Sequence, residues 1–202
     1  TYITHTGQGT LRSMLTTGQY LENGYLMREA YYDKWYDPKP KKLVAVYRIA
    51  NCEKYIWESL MQTSKFADSI IVLLCRSKDR TEEIVRQFPK VIKVEKYEGI
   101  FQEDYERNWL LQEALKLQSE GKADWCISID GDEVYEDKFV EQVQKYMAPR
   151  NPEIFGYSYQ WRTIWSKIDG EEYYRKDSTF GQFMNYRLFR LMPGQTITSR
   201  HP

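Results

Sequence analysis

The stretch DWCISIDGDEVYEDKFVEQVQKYM, residues 124–147, contains in succession an apolar run, an acidic turn and a helical pattern. Residues 124–129 are mainly apolar, which is typical of a strand that is buried on both faces of a sheet. Asp130, Asp132 and Glu133 follow this run directly. The stretch therefore predicts a strand followed by a helix, with carboxylates at the carboxyl end of the strand. Such carboxylates either belong to an ordinary turn or bind a cation.

Three similar strand–helix units precede this one. Their apolar runs, which predict buried strands, lie at residues 43–49, 69–75 and 91–97. The helical patterns lie at residues 52–64, 79–88, 102–119 and 137–147. Alternating strands and helices predict an α/β fold with a mostly parallel sheet that carries helices on both faces. Because ligands bind beyond the carboxyl ends of the strands in such sheets, the acidic turn is a candidate site.

The two ends of the chain have different patterns. Residues 1–42 lack a sustained period and end in a Pro- and Lys-rich linker, so we predict an N-terminal segment followed by a main domain over 43–202. Beyond Pro152, alternating aromatic stretches at 155–165 and 184–192 predict antiparallel strands joined by a polar loop.

Charge and composition argue against some classes of function. The 202 residues include 29 Lys and Arg against 29 Asp and Glu, so the chain lacks the basic surplus expected of a nucleic-acid-binding module. The longest uncharged apolar run, residues 69–75, is too short to span a bilayer, so we predict no transmembrane segment. Three cysteines without metal-ligand spacing favour a cytoplasmic location. Because the chain begins at Thr1 and stops at Pro202, we expect a piece of a longer protein that is truncated at its C-terminus.

Four blocks of the sequence, taken together, resemble family 2 glycosyltransferases of the GT-A fold. The blocks are VAVYRIANCEKYIWESL (44–60), IIVLLCRSKDRTEEIV (70–85), FQEDYERNWLLQEAL (101–115) and ADWCISIDGDEVYED (123–137). They are similar to the branch of the family whose members read KNEE, GSxDRT, RNxAL and DWxLxLDADE. The resemblance covers residues 43–148, is weaker over 184–202, and implies a GT-A-like fold.

This resemblance implies a site for a nucleotide-diphospho-sugar donor, with Mn²⁺ or Mg²⁺ as the cofactor. Asp130 and Asp132 match the DxD motif of the family, with Asp132 as the more direct metal ligand and His201 as a further candidate ligand. The metal would bind the diphosphate and neutralise the charge of the leaving group. Donor-binding roles are implied for Arg48, Asn51, Glu53, Asp79, Arg107, Asn108 and Asp130. From the residues alone, Asp79 is alternatively a helix cap and Arg107 an exposed helix residue.

The sequence departs from the family pattern in three ways. Many relatives carry an Asp that reads the base at the end of the second strand, where this chain has Leu74. The first acid of the NEE block is replaced by Cys52. No catalytic-base motif is recognisable, so the base for the acceptor hydroxyl stays open among the acids of the polar loop, Asp169, Glu171, Glu172 and Asp177. Aromatic residues either form the floor of an acceptor site or pack the strands: Tyr157, Tyr159, Trp161, Trp165, Tyr173 and Tyr174.

We therefore expect a metal-dependent, inverting glycosyltransferase. It would move a sugar from a nucleotide-diphospho-sugar to a carbohydrate or another acceptor with a hydroxyl group. The alternative that the departures favour is a degenerate GT-A domain that acts as a binding or scaffolding module in a larger protein. A nucleotidyltransferase, which shares this kind of sheet, is the third hypothesis.

Overall fold

The computed structural model describes residues 39–149, 153–160, 164–168, 171–174 and 184–197. Contacts along the chain define two compact units, Thr1–Lys39 with Ala148–Ile154 and Pro40–Met147 with Phe155–Pro202. All the helices and strands described below belong to the second unit. The predicted division between residues 42 and 43 stays a prediction. Within the described ranges, no helix is both long enough and apolar enough to cross a membrane.

The secondary structure alternates as the sequence predicts. The strands are β1 (Leu43–Ile49), β2 (Ser69–Cys75), β3 (Val91–Tyr97), β4 (Trp125–Ile129), β5 (Gly156–Gln160), β6 (Ile164–Ile168), β7 (Glu171–Tyr174) and β8 (Met184–Arg190). The helices are α1 (Ile56–Phe66), α2 (Thr81–Val85), α3 (Glu103–Ser119) and α4 (Asp137–Met147).

Six of the strands form one sheet in the order β3-β2-β1-β4-β8-β5. Strands β3, β2, β1 and β4 are parallel to one another, whereas β8 runs antiparallel to both β4 and β5. This mixed sheet confirms the predicted α/β architecture with an antiparallel part at its end. The chain passes from β1 to β2 on one side and later to β4 on the other, so the strand order reverses at β1. Ligands bind at such reversal points in open α/β sheets.

The central strands are buried on both faces, which explains their nearly continuous apolar sequences. On β1, Ala45 and Tyr47 pack in the core cluster that includes residues of α1, α2 and α4. Val44 and Val46 belong to the second cluster, which includes residues of α3. The sheet therefore lies between helices on both faces, as predicted.

The polar loop predicted between the antiparallel strands is wrong in part. Strand β5 covers Gly156–Gln160, and a separate two-stranded sheet of β6 and β7 begins at Ile164, within the predicted strand, and extends into the stretch assigned to the loop. The sequence between β6 and β7 is Asp-Gly, a dipeptide typical of two-residue hairpin turns. That local signal favours a hairpin over an irregular loop.

Candidate active site

A cleft of about 500 Å³ opens where the carboxyl ends of β1, β2 and β4 meet. Its lining includes Arg48, Asn51, Cys52, Arg76, Phe101, Asp130, Gly131 and Asp132. The cleft thus lies at the reversal of strand order, where the fold itself favours ligand binding. Carboxylates line it after β4, and guanidinium groups line it at the end of β1 and directly after β2.

The acidic side of the cleft is a turn closed by Glu133. The Glu133 carboxylate accepts a hydrogen bond of 3.0 Å from the Asp130 amide, and the Glu133 amide donates to the Asp130 carbonyl at 3.0 Å. Arg187 on β8 donates to Asp130 Oδ2 at 2.8 Å and to Glu133 Oε1 at 2.7 Å. One nearly inaccessible arginine therefore fixes two carboxylates of the turn.

Arg187 is a residue that the sequence prediction missed. Its side chain is only 4% exposed, and arginine is rarely so deeply buried unless it is paired. The available signal was a charged residue between Tyr186 and Leu188, in a strand that also contains Asn185 and Arg190. That signal indicates a buried ion pair but does not identify the partner.

The electrostatics of the turn depend on Glu133. Burial raises the pKa of its carboxyl to about 7, although the Arg187 charge and the hydrogen bond from the Asp130 amide act in the opposite direction. Because this pKa is raised above its ordinary value of 4.5, the folded protein binds the Glu133 proton more tightly than the unfolded chain does. The contribution of this proton to the free energy of unfolding is fully present below pH 4.5. It is lost as the pH rises through about 7.

Asp132 has the carboxylate of the turn that is open to the cleft. It is exposed and makes no hydrogen bond or ion pair with any described residue. Among the residues that the structure describes, no group of three or more His, Cys, Asp or Glu side chains is arranged to hold a metal. Two carboxylates still fit Mg²⁺ or Mn²⁺ bound together with phosphate, since these ions keep waters and take one or two protein carboxylates. The candidate ligand His201 lies outside the described residues.

Gly131 lets the acidic turn approach the loop after β1. A Cβ atom added at this glycine would lie 2.7 Å from Cys52 Sγ and 2.9 Å from Ile49 Cγ2. The backbone of the turn is therefore in direct contact with Cys52, the residue that replaces the first acid of the NEE block.

We expect Gly131→Ala to destabilise the protein by about 2 kcal/mol, because an inserted methyl group overpacks a filled contact. The cost should fall in a Cys52→Ala background, where the Sγ atom is absent. Urea unfolding of the four proteins of this double-mutant cycle measures the coupling. Gly121→Ala is the control, since nothing lies within 4 Å of its added Cβ and only its φ of +66° opposes the change. An equal cost of Gly131→Ala in both backgrounds would contradict the prediction.

The basic side of the cleft is organised by Glu106 on α3, a wholly buried residue that the sequence prediction also missed. Arg48 Nη1 donates to Glu106 Oε2 at 3.0 Å, and Arg76 Nη1 donates to Glu106 Oε1 at 2.8 Å. The Phe101 ring lies over both arginines, with its centroid 5.5 Å from Arg48 Cζ and 5.7 Å from Arg76 Cζ. Burial raises the pKa of the Glu106 carboxyl, but the hydrogen bonds, first those from Arg76 and Arg48, more than offset it and hold the pKa below its ordinary value.

Asn51 lines the cleft and also joins two loops. Its backbone amide donates to Ser77 Oγ at 2.8 Å, and its side-chain Oδ1 accepts from the backbone amide of Lys78 at 2.8 Å. Asn51 has a φ of 52°, and Arg76 has a φ of 56°. Left-handed backbone is tolerated by asparagine but unfavourable for arginine, and strained backbone often occurs at functional sites.

Glu53 and Asp79 bind each other's loops. The Glu53 amide donates to Asp79 Oδ2 at 3.0 Å, and the Arg80 amide donates to Glu53 Oε2 at 3.1 Å. Asp79 Oδ1 also accepts from the Thr81 amide at the start of α2. These carboxylates hold the loops after β1 and β2 together, and neither belongs to the cleft lining. A donor-binding role for them stays a prediction.

Two predicted donor-binding residues on α3 have structural partners away from the cleft lining. Arg107 Nε donates to Glu103 Oε1 at 2.8 Å. Asn108 makes a pair of hydrogen bonds with the backbone of Ile197, accepting from its amide at 2.8 Å and donating to its carbonyl at 2.5 Å. Asn108 therefore holds the segment after β8 against α3, and the donor-binding role of both residues stays a prediction.

Leu74 does not reach the cleft. It is 2% exposed and packs in the core on β2, so the cleft is lined by Cys75, the last residue of this strand, and by Arg76 after it. Many relatives carry an Asp that reads the base at the end of this strand, whereas here the charged residue that follows the strand is Arg76. This is a difference in the chemistry of the site that the sequence comparison did not predict.

The catalytic base stays open. Asp169 and Asp177 lie outside the described residues, while Glu171 and Glu172 are on β7, where the backbone is described. Of the aromatic residues considered for an acceptor site, Tyr157 stacks on Trp125 and Tyr159 packs edge-on against Phe139. These two rings form part of the core packing.

No protein-family model and no curated protein matches this chain. Among solved structures, the chain is similar to S. aureus TarS 1-349, with 21% identity and a TM-score of 0.44, over 52% of this chain and 32% of that one. A structure of TarS 1-349 in complex with UDP matches over the same shares, with 22% identity and a TM-score of 0.44. The chain is also similar to 4-diphosphocytidyl-2C-methyl-D-erythritol synthase, with 15% identity and a TM-score of 0.45, over 76% of both chains. The match thus spans about a third of TarS 1-349, and at these identities it concerns the course of the chain alone.

Proposed function

We propose that this protein is a metal-dependent glycosyltransferase that transfers a sugar from a nucleotide-diphospho-sugar to an acceptor hydroxyl with inversion. The observation that carries the proposal is the cleft at the reversal of strand order, which presents Asp130 and Asp132 from one turn. The order and spacing of the four sequence blocks support the same function. The sheet alone does not distinguish transferases of different chemistry.

Asp132 is the residue best placed to bind Mn²⁺ or Mg²⁺, because it is open to the cleft. Asp130 is the second carboxylate, and Arg187 fixes its orientation through a 2.8 Å hydrogen bond. The bound metal would neutralise charge on the diphosphate leaving group. Arg187 and Glu133 act through Asp130, since they hold the turn that presents both aspartates.

Inversion by single displacement needs a carboxylate that takes the proton from the acceptor hydroxyl. We keep Asp169, Glu171, Glu172 and Asp177 as the candidates, of which at most one is the base. Amide variants of each residue, assayed for transfer and for nucleotide binding, identify it. The base variant should lose transfer while it keeps donor binding.

Metal and nucleotide should stabilise the protein together. We expect one of UDP, GDP, CDP and dTDP, at about 100 times its Kd with Mn²⁺ present, to raise the Tm by roughly 5–10 °C. Mn²⁺ alone should have little effect, because two carboxylates without phosphate make an incomplete site. Asp132→Asn should remove most of the combined shift, as measured by thermal unfolding.

The control for Asp132→Asn is Glu141→Gln, which removes an exposed carboxylate of α4 outside the cleft lining. The proposal fails if no nucleoside diphosphate raises the Tm with Mn²⁺, or if Asp132→Asn keeps the full shift. Nucleotide binding without hydrolysis or transfer of any donor sugar supports the binding-module alternative. Release of pyrophosphate from a nucleoside triphosphate supports the nucleotidyltransferase alternative.

A further inference from the structure

The basic side of the cleft contains two arginines that one buried carboxylate holds in place. Glu106 is fully inaccessible and accepts hydrogen bonds from Arg48 near the end of β1 and from Arg76 directly after β2. A single carboxylate therefore sets the relative position of two guanidinium groups from neighbouring strand ends. The formal charge of these three side chains is +1, from two cations and one anion.

Both arginines keep hydrogen-bond donors that the protein does not use. A guanidinium has five N–H donors. Arg76 Nη1 donates to Glu106 and to the Gly99 carbonyl, whereas its Nε and Nη2 have no acceptor among the described residues. Arg48 Nε also has no acceptor within the described part of the chain, but it is buried, so Nη2 is the donor of Arg48 that faces a ligand without competition from a hydrogen bond.

Glu103 does not accept a hydrogen bond from Arg48. It lies 3.8 Å from Arg48 Nη2, which is too long for a hydrogen bond. Its Oε1 atom already accepts from Arg107 at 2.8 Å. The charge of Glu103 is thus shared with another arginine, and Arg48 Nη2 has no hydrogen-bond acceptor among the described residues.

The surrounding residues restrict the positions of both arginines. The side chains of Arg48 and Arg76 are only 21% and 29% exposed, and Phe101 covers both guanidinium groups. Arg76 adopts the left-handed backbone conformation, held by a 2.9 Å hydrogen bond from its amide to the Tyr97 carbonyl. Such a backbone is unfavourable for arginine and indicates that the position of the side chain is strongly constrained.

We infer that Arg48 and Arg76 together form a subsite for an oxyanion group of the ligand, a phosphate or a carboxylate, that needs no bound metal. Guanidinium groups with free, fixed donors match the geometry of these groups. Arg48 is on β1, beside β4, and Arg76 follows β2, one strand further away, so the subsite lies about one to two strand spacings, roughly 5–10 Å, from the aspartates of the acidic turn. The assignment of the anion to a sugar donor or acceptor rests on the proposed function, whereas anion binding itself does not.

The test is anion binding by calorimetry in EDTA at low ionic strength, with inorganic phosphate, pyrophosphate and malonate as the probes. Wild-type protein should bind a phosphate probe or malonate, and the preferred probe distinguishes a phosphoryl from a carboxylate ligand. Arg76→Gln should weaken binding tenfold or more, because charge-assisted hydrogen bonds are lost. Arg80→Gln is the matched control, since this arginine follows the same strand, is 75% exposed and lies outside the cleft lining.

Arg76→Lys keeps the cation that Glu106 requires but lacks the planar donors, and it decides the question if Arg76→Gln does not fold. It should also bind the anion more weakly than wild type. The inference is overturned if wild-type protein binds none of the probes, or if Arg76→Lys and Arg80→Gln both bind as wild type does. Asp132→Asn should retain anion binding in EDTA, so a failure of the nucleotide test and a failure of this one are distinguishable.

Discussion

Replacing Glu106 with alanine should destabilise the protein by about 3 kcal/mol, which equilibrium unfolding in urea measures directly. The carboxylate is fully buried and accepts from Arg48 at 3.0 Å and from Arg76 at 2.8 Å. Its removal leaves two partly buried cations side by side without their shared anion. Unpaired buried charges cost more than the pair gains, so the expected loss is large.

Glu82→Ala is the matched control for this prediction. Glu82 also binds two cations, Arg86 at 2.9 Å and Lys96 at 2.5 Å, but these partners are more than half exposed. Exposed pairs contribute little, so the control should cost less than about 1 kcal/mol. If the two variants lost the same free energy of unfolding, the burial of Glu106 would not increase the cost of its removal, and the prediction would be wrong.

The pH dependence gives a second check. The pKa of Glu106 lies below its ordinary value, because the hydrogen bonds from the two arginines outweigh the effect of burial. A lowered pKa in the folded state means that the pairing stabilises the protein above the ordinary pKa of 4.5 and is lost as the pH falls below it. The difference between wild type and Glu106→Ala should therefore shrink in acid.

The elements of the fold were predictable where the signal is local. The bounds of β1, β2, β3 and α4 agree with the sequence prediction, because buried strands and an amphipathic helix have short-range patterns. Helix α2 is shorter than predicted, covering Thr81–Val85. Asp79 before it hydrogen-bonds across to the loop after β1, a contact that no local pattern contains.

The candidate site was predictable in position but not in partners. The acidic turn follows a buried strand, which is enough to place Asp130 and Asp132 at the carboxyl edge of the sheet. Arg48 and Glu106 are 58 residues apart, and Arg187 and Asp130 are 57 residues apart. Such pairs depend on sheet order and on the packing of α3, neither of which follows from residue spacing.

The same limit applies to the partners of residues on α3. Arg107 and Asn108 match a family block, but Asn108 is used for the backbone of Ile197, 89 residues away. Glu106, one position before Arg107, faces the arginines of the cleft instead. Adjacent helix positions point in directions about 100° apart, so a one-residue difference changes which side chain reaches the site.

Replacing Arg187 with leucine should destabilise the protein by about 3 kcal/mol at pH 8.5. The arginine is 4% exposed and donates to Asp130 and Glu133 at 2.8 and 2.7 Å. Leucine fills part of the volume but leaves two neighbouring carboxylates without a cation. The acidic turn that presents Asp132 should therefore become less stable, and the combined effect of Mn²⁺ and nucleotide on the Tm should fall as well.

The cost of Arg187→Leu should depend on pH in a specific direction. Burial already raises the pKa of Glu133 to about 7 in the presence of Arg187, and loss of the cation should raise it further. At pH 5.5 Glu133 is then protonated in the variant, so less unpaired charge remains and the cost is smaller. Each further unit of pKa increase adds about 1.4 kcal/mol to the difference between low and high pH. Adding Glu133→Gln should remove most of this pH dependence, and urea unfolding at pH 5.5 and 8.5 compares the single and double variants. A cost that is the same at both pH values would show that Glu133 does not take up the proton.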